Sequence, residues 1–314
     1  MLRIRLFGSG RANFHGAPLV GFPRQQPYML LCYLLLNKKY PLQREHLAAV
    51  IWGDCPSESA RKYLRNALWR LRGKFKGVGA QIEDFILITD DTISFNHSSD
   101  YWLDIEEFET RTTHFQDVPV ERMSLESVSE LEMAVELYEG DLLGSIYEDW
   151  CLYDRERLRL GHLNALYKLM GFHGLQGNYD RGLDCGERLL ALDRTREKVH
   201  RQMMWLYTMA GDRSAALVQY QRCNQILRQD LDIHPMQETQ DLYNKIIHYP
   251  AELESLPDPT TFPPPGPREN FNSTKHLVDS ALKKLGMLQS MINDTSTELQ
   301  VLEKMISRAF PHSE

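Results

Sequence analysis

Seven lysines and arginines occur between Ser59 and Ile82, a stretch of the sequence that contains no acidic residue. Phosphate binding favours such a one-sign surface, because each neutralised phosphate releases condensed counterions. Arginine and asparagine side chains can also hydrogen-bond to guanine and adenine edges in a major groove. The candidate DNA-contacting side chains are Arg61, Lys62, Arg65, Asn66, Trp69, Arg70, Arg72, Lys74 and Lys76.

These candidates divide by the contact that we expect each to make. The groove-entering side chains are Arg61, Lys62, Arg65, Asn66 and Arg70, and the phosphate-binding side chains are Arg72, Lys74 and Lys76. Trp69 either stacks on a base or sugar, or lies at the seam between its helix and the segment that follows. The alternative for the whole stretch is a basic helix exposed on an ordinary soluble domain.

The helical period places these side chains on the outside of one long helix. Apolar residues recur on a face that we expect to be buried, namely Leu64, Leu68, Leu71 and Phe75, with Ala60 and Ala67 beside them. Lys62, Asn66 and Trp69 fall on the opposite face. We expect Ser57 to cap the helix, with Glu58 in the first turn, where the helix dipole favours an anion.

Two predicted helices precede this basic helix. Residues 25–36 are almost wholly apolar and predict a buried helix, and residues 44–52 predict a short amphipathic one. A tight turn at residues 53–56 leads into the basic helix. This order is that of a helix-turn-helix, whose second helix enters the major groove.

Strand patterns flank the predicted helices. Residues 2–7 alternate as a strand and predict a small N-terminal sheet. Residues 85–95 predict a hairpin whose turn contains Asp90 and Asp91. A hairpin placed directly after a recognition helix is a wing.

The charge distribution separates the chain into unlike parts. Residues 1–100 carry 14 Lys and Arg against 8 Asp and Glu, whereas residues 101–250 carry 16 against 26. A basic N-terminal module followed by an acidic one fits a nucleic-acid reader joined to a domain that does not touch nucleic acid.

Composition bounds the class of protein and its compartment. The 314 residues are 42% hydrophobic and 25% charged, as in ordinary globular proteins. The first residues contain no apolar signal segment, and no run of about 18 apolar residues predicts a membrane helix. Five widely spaced cysteines without a Cys-x-x-Cys pair predict reduced, mostly buried thiols. We therefore expect a cytoplasmic protein without membrane contact.

Short motifs beyond the basic module resemble a known family. They are YWLDIEEFE at 101–109, LYEGDLL at 137–143, DW at 149–150, RTRE at 194–197 and HR at 200–201. Their order and spacing, together with the predicted winged helix, resemble the streptomycete antibiotic regulatory proteins and their wider relatives over roughly residues 1–249.

The resemblance implies an OmpR-type winged-helix DNA-binding domain over residues 1–102 and a bacterial transcriptional activator domain over residues 103–249. It also implies binding to tandem repeats in double-stranded promoter DNA and recruitment of RNA polymerase holoenzyme. Two features depart from the family. Asp90 and Asp91 at the wing tip would be repelled by a minor groove, and Arg194 stands where proline is common.

The acidic module contains an internal repeat. Residues 175–183 align with residues 209–217 at an offset of 34, which is the period of tetratricopeptide repeats. Small residues at positions 182, 215 and 216 let paired helices approach closely. Such repeats stack into a concave surface that either binds a peptide or ligand or has a purely structural role.

No residue pattern predicts catalysis, a cofactor or a metal. The eleven histidines are scattered, and phosphate-loop and nucleophile-elbow motifs are missing from the sequence. His200 is expected to be a packed histidine at the core edge. An acidic cluster, expected to be solvated or capping rather than catalytic, comprises Asp141, Glu148, Asp149 and Asp154. We therefore predict that the protein is not an enzyme.

The chain ends in a proline-rich linker at residues 250–270 and a periodic helix at residues 271–314. A heptad register over 274–309 predicts a coiled coil, and its seam residues include Val278, Leu285, Leu288, Ile292, Leu299, Leu302 and Ile306. This favours a parallel homodimer. The alternative is that the helix docks on the repeat groove or on a partner helix.

Together these patterns predict a mainly α protein. An N-terminal winged helix-turn-helix with small β-sheets precedes an α-helical tetratricopeptide-like repeat domain and a C-terminal coiled-coil helix. The predicted function is sequence-specific DNA binding and transcriptional activation. The alternatives are a tetratricopeptide-repeat adaptor and a small-molecule sensor, each with non-specific nucleic-acid binding.

Overall fold

The computed structural model describes residues 1–20, 26–115 and 117–248 of the chain. The predicted linker at residues 250–270 and the predicted coiled coil with its seam lie outside the described residues.

The N-terminal module combines two small sheets with three helices, as the sequence predicts. Its elements are β1 (Leu2–Arg5), β2 (Arg11–Phe14), β3 (Ala17–Val20), α1 (Gln26–Leu36), β4 (Leu42–Gln43), α2 (Arg44–Ile51), α3 (Ser57–Gly77), β5 (Ile86–Ile88), β6 (Thr92–Phe95) and β7 (Tyr101–Leu103). The first sheet has the order β3-β2-β1-β7, with β7 parallel to β1. The wing sheet has the order β4-β6-β5.

The basic helix α3 starts differently from the prediction. Ser57 is its first residue rather than its cap, and no side-chain hydrogen bond caps the helix. Pro56 takes the capping position, with φ −53° and ψ 142°, and its carbonyl accepts the N–H of Ala60 at 3.0 Å. Proline fixes its own φ near the value required here, so the chain turns into the helix one residue earlier than expected.

Seven helices form the following module. They are α4 (Asp104–Thr113), α5 (Leu125–Leu137), α6 (Leu152–Leu175), α7 (Tyr179–Leu192), α8 (Glu197–Met209), α9 (Arg213–Leu231) and α10 (Gln237–His248). The pairs α6–α7 and α8–α9 are the two repeats predicted from the 34-residue offset.

Glycines shape both repeats. Gly177 and Gly211 occupy equivalent turns with φ of 73° and 83°, a region that side chains with a Cβ rarely adopt. Gly182 lies where an added Cβ would stand 3.1 Å from Leu206 Cδ1 and 3.3 Å from the carbonyl oxygen of Met170. The small residue therefore lets α7 approach α6 and α8, as predicted.

One hydrophobic core continues from the N-terminal module into the helical module formed by α4–α10. Leu2 and Ile4 on β1 share this core with Phe108 on α4 and with Leu142 and Leu158 further along the chain. The predicted domain boundary between residues 102 and 103 falls within strand β7.

Candidate nucleic-acid interface

Helix α3 is held to the module by its apolar stripe. Leu64, Leu71 and Phe75 are at most 1% exposed, and they belong to the core that α1 and α2 also line. Because the stripe fixes the rotation of α3 about its axis, the opposite face must point into solvent. The predicted candidates therefore lie on a rigid helix rather than on a loop.

Trp69 lies on this outer face. Its side chain is 71% exposed, whereas Trp52 on the neighbouring turn is 5% exposed. A position at the seam between helix and wing would bury the indole, so the seam alternative does not describe the structure. Lys62, Arg65 and Asn66 are also exposed, which leaves charged, amide and aromatic groups together on one surface.

Two of the candidate arginines are engaged within the protein. The guanidinium of Arg72 donates to Glu83 Oε1 at 2.8 and 3.0 Å, and Arg61 lies 3.6 Å from Glu45. The backbone N–H of Glu83 and the side chain of Arg72 hydrogen-bond this carboxylate and hold the pKa of Glu83 below its usual range. A phosphate would therefore compete with a carboxylate at these two positions.

The remaining five cations of α3 are not neutralised in this way. Within residues 1–20, 26–115 and 117–248, no carboxylate forms an ion pair with Lys62, Arg65, Arg70, Lys74 or Lys76. An unpaired cation retains its full charge for a phosphate or a base edge. The unpaired set spans the helix from its second turn to its last.

The wing is anchored to helix α2. Arg44 donates its backbone N–H to the carbonyl of Asp91 at 3.0 Å, and its guanidinium donates to the carbonyl of Thr89 at 2.8 Å. Thr89 and Thr92 close the turn by backbone and hydroxyl hydrogen bonds. Asp90 and Asp91 are exposed at the tip, so the acidic departure from the family pattern faces solvent.

A buried carboxylate joins the two modules, and the sequence reasoning did not single it out. Asp104, 1% exposed at the start of α4, accepts the backbone N–H groups of Leu6, Phe7 and Ile105 at 2.8–2.9 Å. Burial raises the pKa of Asp104, although these three donors oppose the shift. The sequence feature that could have identified Asp104 is its place directly after the apolar strand β7, where a helix begins.

His200 and Asp141 form hydrogen bonds that support the fold. His200 is fully buried, with Nε2 2.9 Å from the Arg194 carbonyl and Nδ1 2.8 Å from Gln219 Nε2, and desolvation lowers its pKa. It is packed, as predicted, but lies inside the core rather than at its edge. The carboxylate of Asp141 accepts the hydroxyl of Tyr138.

The described residues contain no metal-binding arrangement. No group of three or more histidine, cysteine, aspartate or glutamate side chains there could hold an ion. None of the described helices combines the length and apolarity needed to span a membrane. All five cysteines are free, and four of them are buried, as the sequence predicts.

Comparisons with known proteins point to transcription regulation. The family described as "Bacterial transcriptional activator domain" matches residues 103–247, and the module formed by α4–α10 is therefore named the activator module below. The chain is 23% identical over 248 residues to the transcriptional regulatory protein MoaR1 of Mycobacterium tuberculosis, strain ATCC 25618 / H37Rv. It is 21% identical over 248 residues to MoaR1 of Mycobacterium bovis, strain BCG / Pasteur 1173P2. Each match covers 78% of this chain and 79% of the relative.

A solved structure shares the fold. The chain superimposes on Mycobacterium tuberculosis EmbR, solved in complex with a low affinity phosphopeptide, with a TM-score of 0.60 at 20% identity. The match covers 78% of this chain and 64% of EmbR, slightly less than two thirds of the solved chain.

Proposed function

We propose that this chain, which is similar to the streptomycete antibiotic regulatory proteins and to mycobacterial transcriptional regulatory proteins, binds promoter DNA sequence-specifically and activates transcription. The observation that carries this proposal is the outer face of α3. There Lys62, Arg65 and Arg70 have no carboxylate partner among the described residues, and Asn66 and Trp69 are exposed beside them. Such a face supplies both phosphate contacts and base readout.

The test of DNA recognition is selection of duplexes from a random pool by the full chain, followed by affinity measurements. We expect one recovered motif. The double variant Arg65→Ala and Asn66→Ala should lose its preference for that motif, since each base-reading pair contributes about 1–3 kcal/mol. Tyr147→Ala is the matched control, because this aromatic side chain is exposed on the other module. Unchanged specificity in the double variant would reject the assignment of this face.

Activation is the second part of the proposal. The resemblance implies tandem repeats in promoter DNA and contact with RNA polymerase holoenzyme, in the bacterial cytoplasm. A reconstituted transcription assay with the selected motif upstream of a promoter should show more transcript when the full chain is added. Less transcript would instead assign repression.

Truncation at residue 102 is a poor test of activation. It would cut β7 before Leu103 and remove Phe108 and Leu142 from the shared core. The N-terminal module would then expose apolar surface, and loss of activity would report unfolding. Full-length variants with single substitutions on α3 keep the shared core intact, so a loss of activity in them does not report unfolding.

We also propose a homodimer formed by the heptads of residues 274–309. The support is the sequence period, with Leu285 and Ile292 at a positions. Sedimentation should give a dimer for the full chain and a monomer for a chain ending at Pro257. Leu285→Asp should also give a monomer, and its affinity for paired sites should fall because the effective concentration of the second module is lost. A monomeric full chain at micromolar concentration would refute the dimer.

The alternatives make different predictions. An adaptor would bind nucleic acid with little dependence on sequence, and a sensor would show a ligand-dependent thermal shift of the full chain. One described cavity, between Thr112 on α4 and Lys168 on α6, has about 10 Å³, room for roughly one water molecule. This cavity gives the sensor alternative no support.

A further inference from the structure

We infer that Trp69 recognises the C5-methyl group of a thymine in the major groove, and that this contact contributes to sequence preference. The inference rests on the proposed function, because it requires α3 to enter the groove. It goes further by assigning one aromatic side chain to one chemical group on one base.

Among the described residues, no hydrogen bond or ring contact holds the indole of Trp69 in place. Trp52 and Trp205 are 5% and 3% exposed and belong to the interior, whereas Trp69 is 71% exposed on the side of α3 opposite its buried stripe. A large apolar side chain on a face otherwise made of cations and an amide exposes surface that a partner can cover. The partner surface must itself offer an apolar group.

Neighbouring side chains limit where the indole can reach. Asn66 precedes Trp69 by three residues, so their Cβ atoms lie about 5–6 Å apart on the same helix face. Successive base pairs are separated by about 3.4 Å. If Asn66 reads a base edge, Trp69 therefore lies within about one or two base pairs of that position.

The groups exposed in the major groove indicate which of them the indole contacts. Its base edges present hydrogen-bond donors, acceptors and one apolar group, the thymine methyl. Insertion of the ring between base pairs would require unstacking, which costs a few kcal/mol and is a device of minor-groove binders. Stacking on an unpaired base needs single-stranded DNA. Contact between the indole and a thymine methyl needs neither distortion nor strand opening.

The experiment replaces thymine by deoxyuridine, one position at a time, in the duplex motif selected by the full chain. This change removes only the methyl group and keeps base pairing. We expect the wild-type protein to bind about fourfold more weakly at one or two positions, the effect of leaving about one methyl group unburied. Trp69→Ala should bind the thymine and deoxyuridine duplexes equally, and Tyr147→Ala should discriminate like the wild type.

The outcomes separate this inference from the proposed function. Failure to select any motif would overturn the proposed function and this inference with it. A selected motif whose deoxyuridine substitutions affect wild type and Trp69→Ala alike would overturn the thymine contact only. So would a Trp69→Ala variant that weakens all duplexes equally, since that result assigns the indole to the sugar–phosphate backbone. Circular dichroism of Trp69→Ala, an exposed substitution, verifies that the variant is folded.

Discussion

Arginines on the outer face of α3 have different surroundings from most arginines of the activator module. On α3, Arg65 and Arg70 form no ion pair with any described residue. In the activator module, by contrast, arginines lie within 4.0 Å of a carboxylate at Arg111, Arg157, Arg159, Arg181, Arg188, Arg194, Arg196 and Arg222. The same residue type therefore mostly serves internal charge pairing in the activator module, whereas Arg65 and Arg70 remain available for a polyanion.

The difference shows why net charge alone does not locate a phosphate-binding surface. The whole chain carries a net charge of −7, yet five of the seven cations of α3 have no carboxylate partner among the described residues. A cation that is already paired contributes less binding free energy with a phosphate, since it must first lose its carboxylate partner. The salt dependence of DNA binding should therefore arise from α3 and not from the activator module.

The largest expected effect concerns the junction between the two halves. Asp104→Ala removes the acceptor of three buried N–H groups, and should lower the free energy of unfolding by about 4 kcal/mol. Urea unfolding of the full chain measures it. Asp104→Asn, which keeps one acceptor oxygen, should cost about half as much, and the exposed Asp90→Ala is the control. Equal stability of all three variants would show that the junction does not depend on this carboxylate.

The junction also marks the limit of what the sequence could predict. Helical and strand periods identified α3 and the wing, and the 34-residue offset identified the paired repeats, because each signal is read from short stretches of the chain. Asp104 and Leu6 are 98 positions apart, and no local pattern joins them. The Arg72–Glu83 pair was missed for a related reason, since the turn after α3 brings Glu83 back to the helix.

Acid should lower the stability of the folded chain through a buried histidine of the activator module. His162 is 4% exposed and stacks on Tyr138 at 4.0 Å between ring centroids, and its Nδ1 has no hydrogen-bond partner among the described residues. Desolvation, with a smaller contribution from Arg188, lowers its pKa to about 4.

Because the pKa of His162 is lowered in the folded chain, the unfolded chain binds a proton at this histidine more readily than the folded chain does. The stability linked to His162 is therefore complete above about pH 6.5 and is lost as pH falls towards 4, by roughly 2–3 kcal/mol. Urea unfolding between pH 7 and pH 4 should show a shallower loss for His162→Phe than for the wild type. An identical dependence of unfolding free energy on pH in both proteins would mean that His162 does not contribute to acid destabilisation.

A single unpaired cation of α3 should change salt dependence more than specificity. Replacing Lys74 by Ala should weaken binding to all duplexes alike and lower the slope of log K against log salt concentration by about one. The measurement is a salt titration of affinity for the selected motif and for an unrelated duplex. If the loss were confined to the selected motif, Lys74 would be a base-reading residue instead of a phosphate contact.

The smallest effect is expected for a paired arginine of the activator module. Arg222 lies 2.8 Å from Glu187 Oε1, and both side chains are nearly half exposed. Water and salt screen such a pair, so Arg222→Ala should change the free energy of unfolding by less than about 0.5 kcal/mol. Its salt slope for DNA binding should equal that of the wild type, because the residue is already neutralised and lies outside α3. Lys74→Ala is the matched variant, since each change removes one positive charge from an exposed helix position. If Arg222→Ala lowered the salt slope as much as Lys74→Ala, the activator module would also contact phosphates, and the contrast between the two halves would be wrong.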